Sequence, residues 1–107
     1  MKLLTKAIEA KFKASKRDED TPTSERDVLV KFFDPCGRYT LYVTEAQPMG
    51  DDWELYGYCI SPLGPDGDEW GYANLSELQA VRGRFGLGIE RDIHFSGTIG
   101  DVLKGEA

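Results

Sequence analysis

The residues with the plainest chemical capacity stand near the C-terminus. His94 is the sole histidine, and Glu90 and Asp92 precede it at even spacing. A strand here puts all three on one face. A histidine beside a carboxylate can move protons or hold a metal. No nucleophile accompanies the pair by motif, however, and a surface histidine among carboxylates accounts for the same residues. A small enzyme using His94 with Asp92 is therefore the third of three readings. The expectation is a protein with no catalytic residues, no metal and no cofactor. Cys36 and Cys59, with one histidine in another segment, form neither a disulfide framework nor a zinc motif. Gly83, Gly86 and Gly88 follow a predicted helix instead of a strand, the wrong order for cradling phosphate. Arg91, flanked by Glu90 and Asp92 and near Arg82 and Arg84, reads as an organiser of this glycine-rich loop.

The strongest chemical signal is charge. The net charge of −6 is unevenly spread. Residues 1–17 hold six lysines and arginines against Glu9 alone, a net +5, which leaves −11 on the other ninety residues. No Lys or Arg lies between Arg38 and Arg82, where eight acids fall. Glu45, Asp51, Asp52, Glu54, Asp66, Asp68 and Glu69 cluster at two turns and the adjoining strand ends. Such a field repels nucleic-acid phosphates and attracts basic surfaces. These seven are the candidate partner-binding residues. A solubilising surface explains them equally. Because turns one strand apart lie at opposite ends of a meander, they can form two acidic poles instead of one.

The elements that position these residues follow from periodicity. Leu3, Leu4, Ala7, Ile8 and Phe12 recur at helical spacing, and Thr5 is a candidate N-cap, which predicts an amphipathic helix over about 5–14. Residues 15–27 are polar and contain Pro22, and read as a flexible loop. Asp27 to Asp34 is rich in β-branched and aromatic residues, and Asp34-Pro35-Cys36-Gly37 carries turn chemistry, with Asp first, Pro second and Gly last. Arg38 to Ala46 alternates, with Tyr39, Leu41 and Val43 against Thr40, Tyr42 and Thr44. Residues 47–52 read as a turn and Trp53 to Ser61 as a third strand. Residues 62–68 read as a turn and Glu69 to Leu75 as a fourth strand. A helix capped by Asn74 or Ser76 follows, with Leu75, Leu78 and Val81 inward and Gly83 at its end. Phe85 and Leu87 should anchor the next loop. Ile89 to Phe95 predicts a fifth strand with Ile89, Ile93 and Phe95 inward, and Thr98 caps a short helix through Lys104. The tyrosines of the central strands are read as cross-strand packing, with one or two as interface anchors.

The fold class is α+β: an antiparallel β-meander of about five strands, an N-terminal amphipathic helix, a short helix before the last strand and a short C-terminal helix. All 107 residues form one domain. No apolar run approaches the ~20 residues of a membrane span, and Lys6, Glu9, Lys11 and Lys13 interrupt any signal-peptide core, so the expected location is cytoplasmic.

The run from Leu75 to Asp92, Leu-Ser-Glu-Leu-Gln-Ala-Val-Arg-Gly-Arg-Phe-Gly-Leu-Gly-Ile-Glu-Arg-Asp, resembles the domain of unknown function 2958 family. The opening Met-Lys-Leu-Leu-Thr-Lys and the Val-Lys-Phe-Phe-Asp-Pro run at 30–35 match the same pattern. His94 departs from it, standing where an aromatic is common. The resemblance implies a small protein of plasmids, phages and integrated mobile elements, with no established activity. Joined to the acidic interval, it yields the leading expectation, a non-enzymatic inhibitor that binds a nucleic-acid enzyme of host or element, as anti-CRISPR and anti-restriction proteins do. The partner would carry a basic surface, and direct nucleic-acid binding is disfavoured. The alternative is a nucleic-acid-binding accessory module using the basic N-terminal helix.

Overall fold

The computed structural model describes residues 2–15, 21–82, 87–92 and 95–104. Helix α1 spans Lys6–Ala14. The Thr5 side chain accepts from the Ile8 N–H, and Ile8 and Phe12 are buried on its inner face. After a 3-10 turn at Thr23–Glu25, strands β1 (Val30–Phe33), β2 (Thr40–Met49), β3 (Asp52–Ile60) and β4 (Glu69–Asn74) form an antiparallel meander. Helix α2 (Leu75–Ala80) carries the chain away from β4. The two-residue strand β5 (Glu90–Arg91) then pairs with β1, so the sheet order is β4-β3-β2-β1-β5. Helix α3 (Ile99–Leu103) is the last described element, with Thr98 and Asp101 forming a capping box. The α+β fold is as expected; the fifth strand closes the far edge instead of extending the meander.

The sheet is covered on both faces. On one face Leu3, ahead of α1, joins Ile8 and Phe12 of α1 and Leu75 and Leu78 of α2 against Val30, Phe32, Leu41, Val43 and Leu55. On the other, Ile99 and Val102 of α3 pack with Val28 and Tyr42, with Tyr58, Ile60, Trp70 and Phe95 alongside. Double coverage explains why β2 does not show a buried and a wet face: Tyr42 and Thr44 are buried as well as Leu41 and Val43. The β2–β3 register also shifts between Val43 and Glu45. A bulge there returns Ala46 to the first face and turns Glu45 onto the second.

Several boundaries differ from expectation. The turn predicted at 47–52 is a two-residue loop, Gly50–Asp51, with Gly50 at φ 61°. Strand pairing runs on to Met49 and Asp52. Positive φ at the first loop position is what a tight hairpin turn requires. β1 begins at Val30, because Asp27 bridges to Thr98 and the Val28 N–H bonds to Gly97, tying this segment to the approach to α3. Helix α2 stops at Ala80, and Val81 is extended and exposed instead of packed inward. Gly83 and Phe85 lie outside the described residues, and Leu87, the other expected anchor, is exposed. Ile89 and Phe95 do not share a face as predicted. Ile89 packs in the first cluster and Phe95 beside the second; strand β5 covers Glu90–Arg91 alone, and Asp92 and Phe95 lie outside it.

Candidate protein-binding face

The seven acids are divided by the meander. Asp51 and Asp52 sit at the β2–β3 turn, while Asp66, Asp68 and Glu69 sit at the β3–β4 connection on the opposite end. Glu45 and Glu54 lie between them, on the face that α3 partly covers.

Four of the seven make bonds within the molecule. Asp68 receives a two-pronged pair from Arg38, Nη1 to Oδ1 at 2.7 Å and Nη2 to Oδ2 at 2.9 Å, and also accepts from the Ser61 N–H. Arg38 Nη1 donates to the Ser61 carbonyl as well, so the β1–β2 turn and the β3–β4 connection are clamped together. The Arg38 hydrogen bond holds the Asp68 carboxyl below its ordinary range. Asp52 accepts from the Ser76 hydroxyl and N–H and from the Trp53 N–H, which lowers its pKa in turn, the Ser76 hydroxyl first. It thereby caps α2 from another strand, because Asn74, one of the two expected caps and the one at the N-cap position, makes no side-chain capping bond. Glu45 pairs with Arg26 at 3.0 Å, and Glu54 Oε1 accepts from Gln47 Nε2 at 2.6 Å. Asp51, Asp66 and Glu69 are exposed and make no side-chain hydrogen bond or ion pair among the described residues.

What the acids border is an aromatic surface. Residue pairing puts Tyr56 opposite both Glu45 and Tyr72, Tyr58 opposite Trp70, and Glu54 opposite Gln47 and Asn74. All of these stand on the α3 side of the sheet. The Tyr56 and Trp70 rings stack at 5.6 Å and 20°, Tyr56 and Tyr72 meet at 4.7 Å, and Tyr58 meets Trp70 edge-on at 5.7 Å. Tyr58 and Trp70 pack towards the α3 cluster, but Tyr72 is 64% exposed. A shallow cavity of about 180 Å³ opens between Tyr56 and Tyr72 and the carboxylates Glu45 and Glu54, with Ser15 at its rim. Ser15 holds that rim by donating to the Ala46 carbonyl and accepting from the Ala46 N–H, on the part of β2 that has run past β1. The chain's alternation places Tyr56 and Tyr58 together on a face. Their meeting with Tyr72 and Glu45 depends on pairing and on the bulge, which local pattern does not reveal.

His94 lies outside the described residues. Asp92 pairs with Lys31 at 3.5 Å, and that ammonium sits 5.5 Å from the Tyr42 ring centre and 5.6 Å from that of Phe95. Arg91 donates to the Lys2 carbonyl, and Arg82 to the carbonyls of Gln79 and Val81. Arg91 thus ties the N-terminal segment to β5; residues 83–86 of the loop it is expected to organise lie outside the described residues. Arg84 lies outside the described residues. Among the described residues no group of three or more His, Cys, Asp or Glu is placed to hold a metal, and no helix is long and apolar enough to cross a membrane. The lysines Lys6, Lys11 and Lys13 of α1 are exposed, with Lys13 paired to Glu9 at 2.9 Å.

No curated protein and no solved structure matches this chain. A family pattern does match, over residues 3–100, and by that match the chain belongs to the DUF2958 family of proteins of unknown function.

Proposed function

We propose that this protein is a non-enzymatic binding module that docks on a basic protein surface, with the β3–β4 half of the sheet as its contact face. The observation that supports this reading is the exposed Tyr72 on a ladder of packed aromatics, bordered by Glu45 and Glu54. Tyrosine and tryptophan are the side chains that most often anchor protein interfaces. The exposed carboxylates Asp51, Asp66 and Glu69 add a field that speeds encounter with a positive partner. The concrete form we propose is an inhibitor, carried by a mobile element, of a host or element-encoded nucleic-acid enzyme. The basic groove of such an enzyme is the surface an acidic module competes for, as in anti-restriction or anti-CRISPR inhibition.

The test uses the exposed carboxylates that bond to no other described residue. In the Asp51→Lys/Asp66→Lys/Glu69→Lys variant, capture of the partner from a host lysate at low salt should fall about tenfold or more. The captured partner should be a nucleic-acid enzyme that the native protein inhibits and the variant does not. Equal capture by the two proteins sinks the docking reading.

A further inference from the structure

Resting on that docking reading, we infer that the cavity between Tyr56, Tyr72, Glu45 and Glu54 receives the guanidinium of an arginine side chain supplied by the basic partner. Two carboxylates and two phenol rings line it, and among the described residues no Lys or Arg does. Glu54 uses Oε1 for Gln47, while Oε2 accepts from no described residue. Glu45 already takes a guanidinium N–H from Arg26 at 3.0 Å, so this ledge favours that group in the protein's own structure. The tilted Tyr56–Tyr72 pair adds ring faces, whose negative potential attracts a cation. An anion meets the opposite, repelled by Glu54, whose charge is met by the neutral Gln47 amide alone among the described residues.

Arginine fits better than lysine on three counts. Its planar fork can bond a carboxylate while its face lies against a ring, its charge is more weakly hydrated, and its donors are fixed in geometry. An ammonium offers a point charge that loses more hydration on entering a half-open cavity. The pocket also explains why Tyr72 can remain largely exposed on a face otherwise packed with aromatics: its ring is one wall of a site left open to solvent.

The test is a titration of the full chain with N-acetyl-arginine amide, followed by amide NMR shifts, with the citrulline and lysine amides as comparisons. Saturable shifts centred on residues 45, 54, 56 and 72 are expected with arginine, weaker ones with lysine, and none with citrulline, which is neutral and near-isosteric. Glu54→Gln and Tyr72→Ala should each weaken binding by about two- to fivefold. Glu54→Gln is close to isosteric, so its effect does not depend on a disturbed fold. Equal binding of citrulline, or shifts spread alike over Asp51 and Asp66, overturns the inference. Lys16 and Arg17 directly follow Ser15 in the chain. Binding that appears only in a Lys16→Ser/Arg17→Ser variant means the chain fills the pocket itself, which overturns it too. Failure here with charge-dependent partner capture intact removes the arginine pocket and leaves the docking reading. Arginine binding without charge-dependent capture does the reverse.

Discussion

Gly57 shows how one residue lets two strands make the bulge that builds the site. A Cβ at this position would run into the carbonyl oxygen of Tyr42, a backbone atom with no freedom to swing away. Gly57 pairs with Val43, immediately before the register shift. The close approach there is what lets Thr44 be passed over and Glu45 come opposite Tyr56, and Thr44 then donates its hydroxyl to the Tyr56 carbonyl. Gly57→Ala should therefore destabilise the protein by about 1–3 kcal/mol, the usual cost of overpacking a close contact. Urea denaturation followed by circular dichroism measures this. Gly71→Ala on the neighbouring strand meets open space and serves as the control for glycine's entropy alone. A Gly57→Ala variant as stable as that control would show that the strands can separate without cost.

At the scale of elements, two acids hold pieces of the fold that the chain places far apart. Asp68 is thirty residues from Arg38, and Asp52 twenty-four from Ser76. Both carboxyls titrate below their ordinary value of 3.8 when folded. The unfolded chain therefore takes up these protons first as pH falls. Their contribution is complete above that ordinary value and disappears as pH drops through it towards the folded pKa. Asp68→Asn and Asp52→Asn should each melt below the native protein at neutral pH, and the gap should narrow as pH falls below 3.8, the carboxyls' ordinary value. Melting curves across that range test it, and a gap that persists in acid would assign the effect to packing instead. Long-range bonds of this kind also mark the limit of what was legible beforehand. Helix α1, the Asp34–Gly37 turn and the Thr98 cap were readable because their signals lie within four residues of one another. The 47–52 turn was overestimated because Gln-Pro-Met-Gly-Asp-Asp has turn chemistry at nearly every position. Pro48 is nevertheless tolerated in β2, which has run past β1 there and become an edge. The acidic interval was legible as composition alone. Which carboxylates are free depends on Arg26, Arg38, Gln47 and Ser76, and no local pattern pairs them.

The described molecule is one sheet with a separate apolar layer on each face. They are joined through shared strands. Leu41 and Val43 of β2 face one layer and Tyr42 between them faces the other, and β3 divides Leu55 from Tyr58 and Ile60 in the same way. Loosening either layer strips cover from strands that the other needs, which predicts a single cooperative transition. The two tryptophans report on it independently. Trp53 packs against Phe12 on the α1 side, with ring centres 5.3 Å apart, while Trp70 lies against Tyr56 and Tyr58 on the α3 side. In Trp53→Phe and Trp70→Phe variants, the remaining fluorophore reports one layer at a time. Each variant's fluorescence and circular dichroism midpoints in urea should coincide, whatever offset the substitution itself brings. If Trp70 emission in Trp53→Phe instead changes ahead of the backbone signal, the α3 layer opens on its own. The binding face would then be assembled by a local equilibrium, and its affinity for an arginine-bearing partner would fall in proportion to the population that is open.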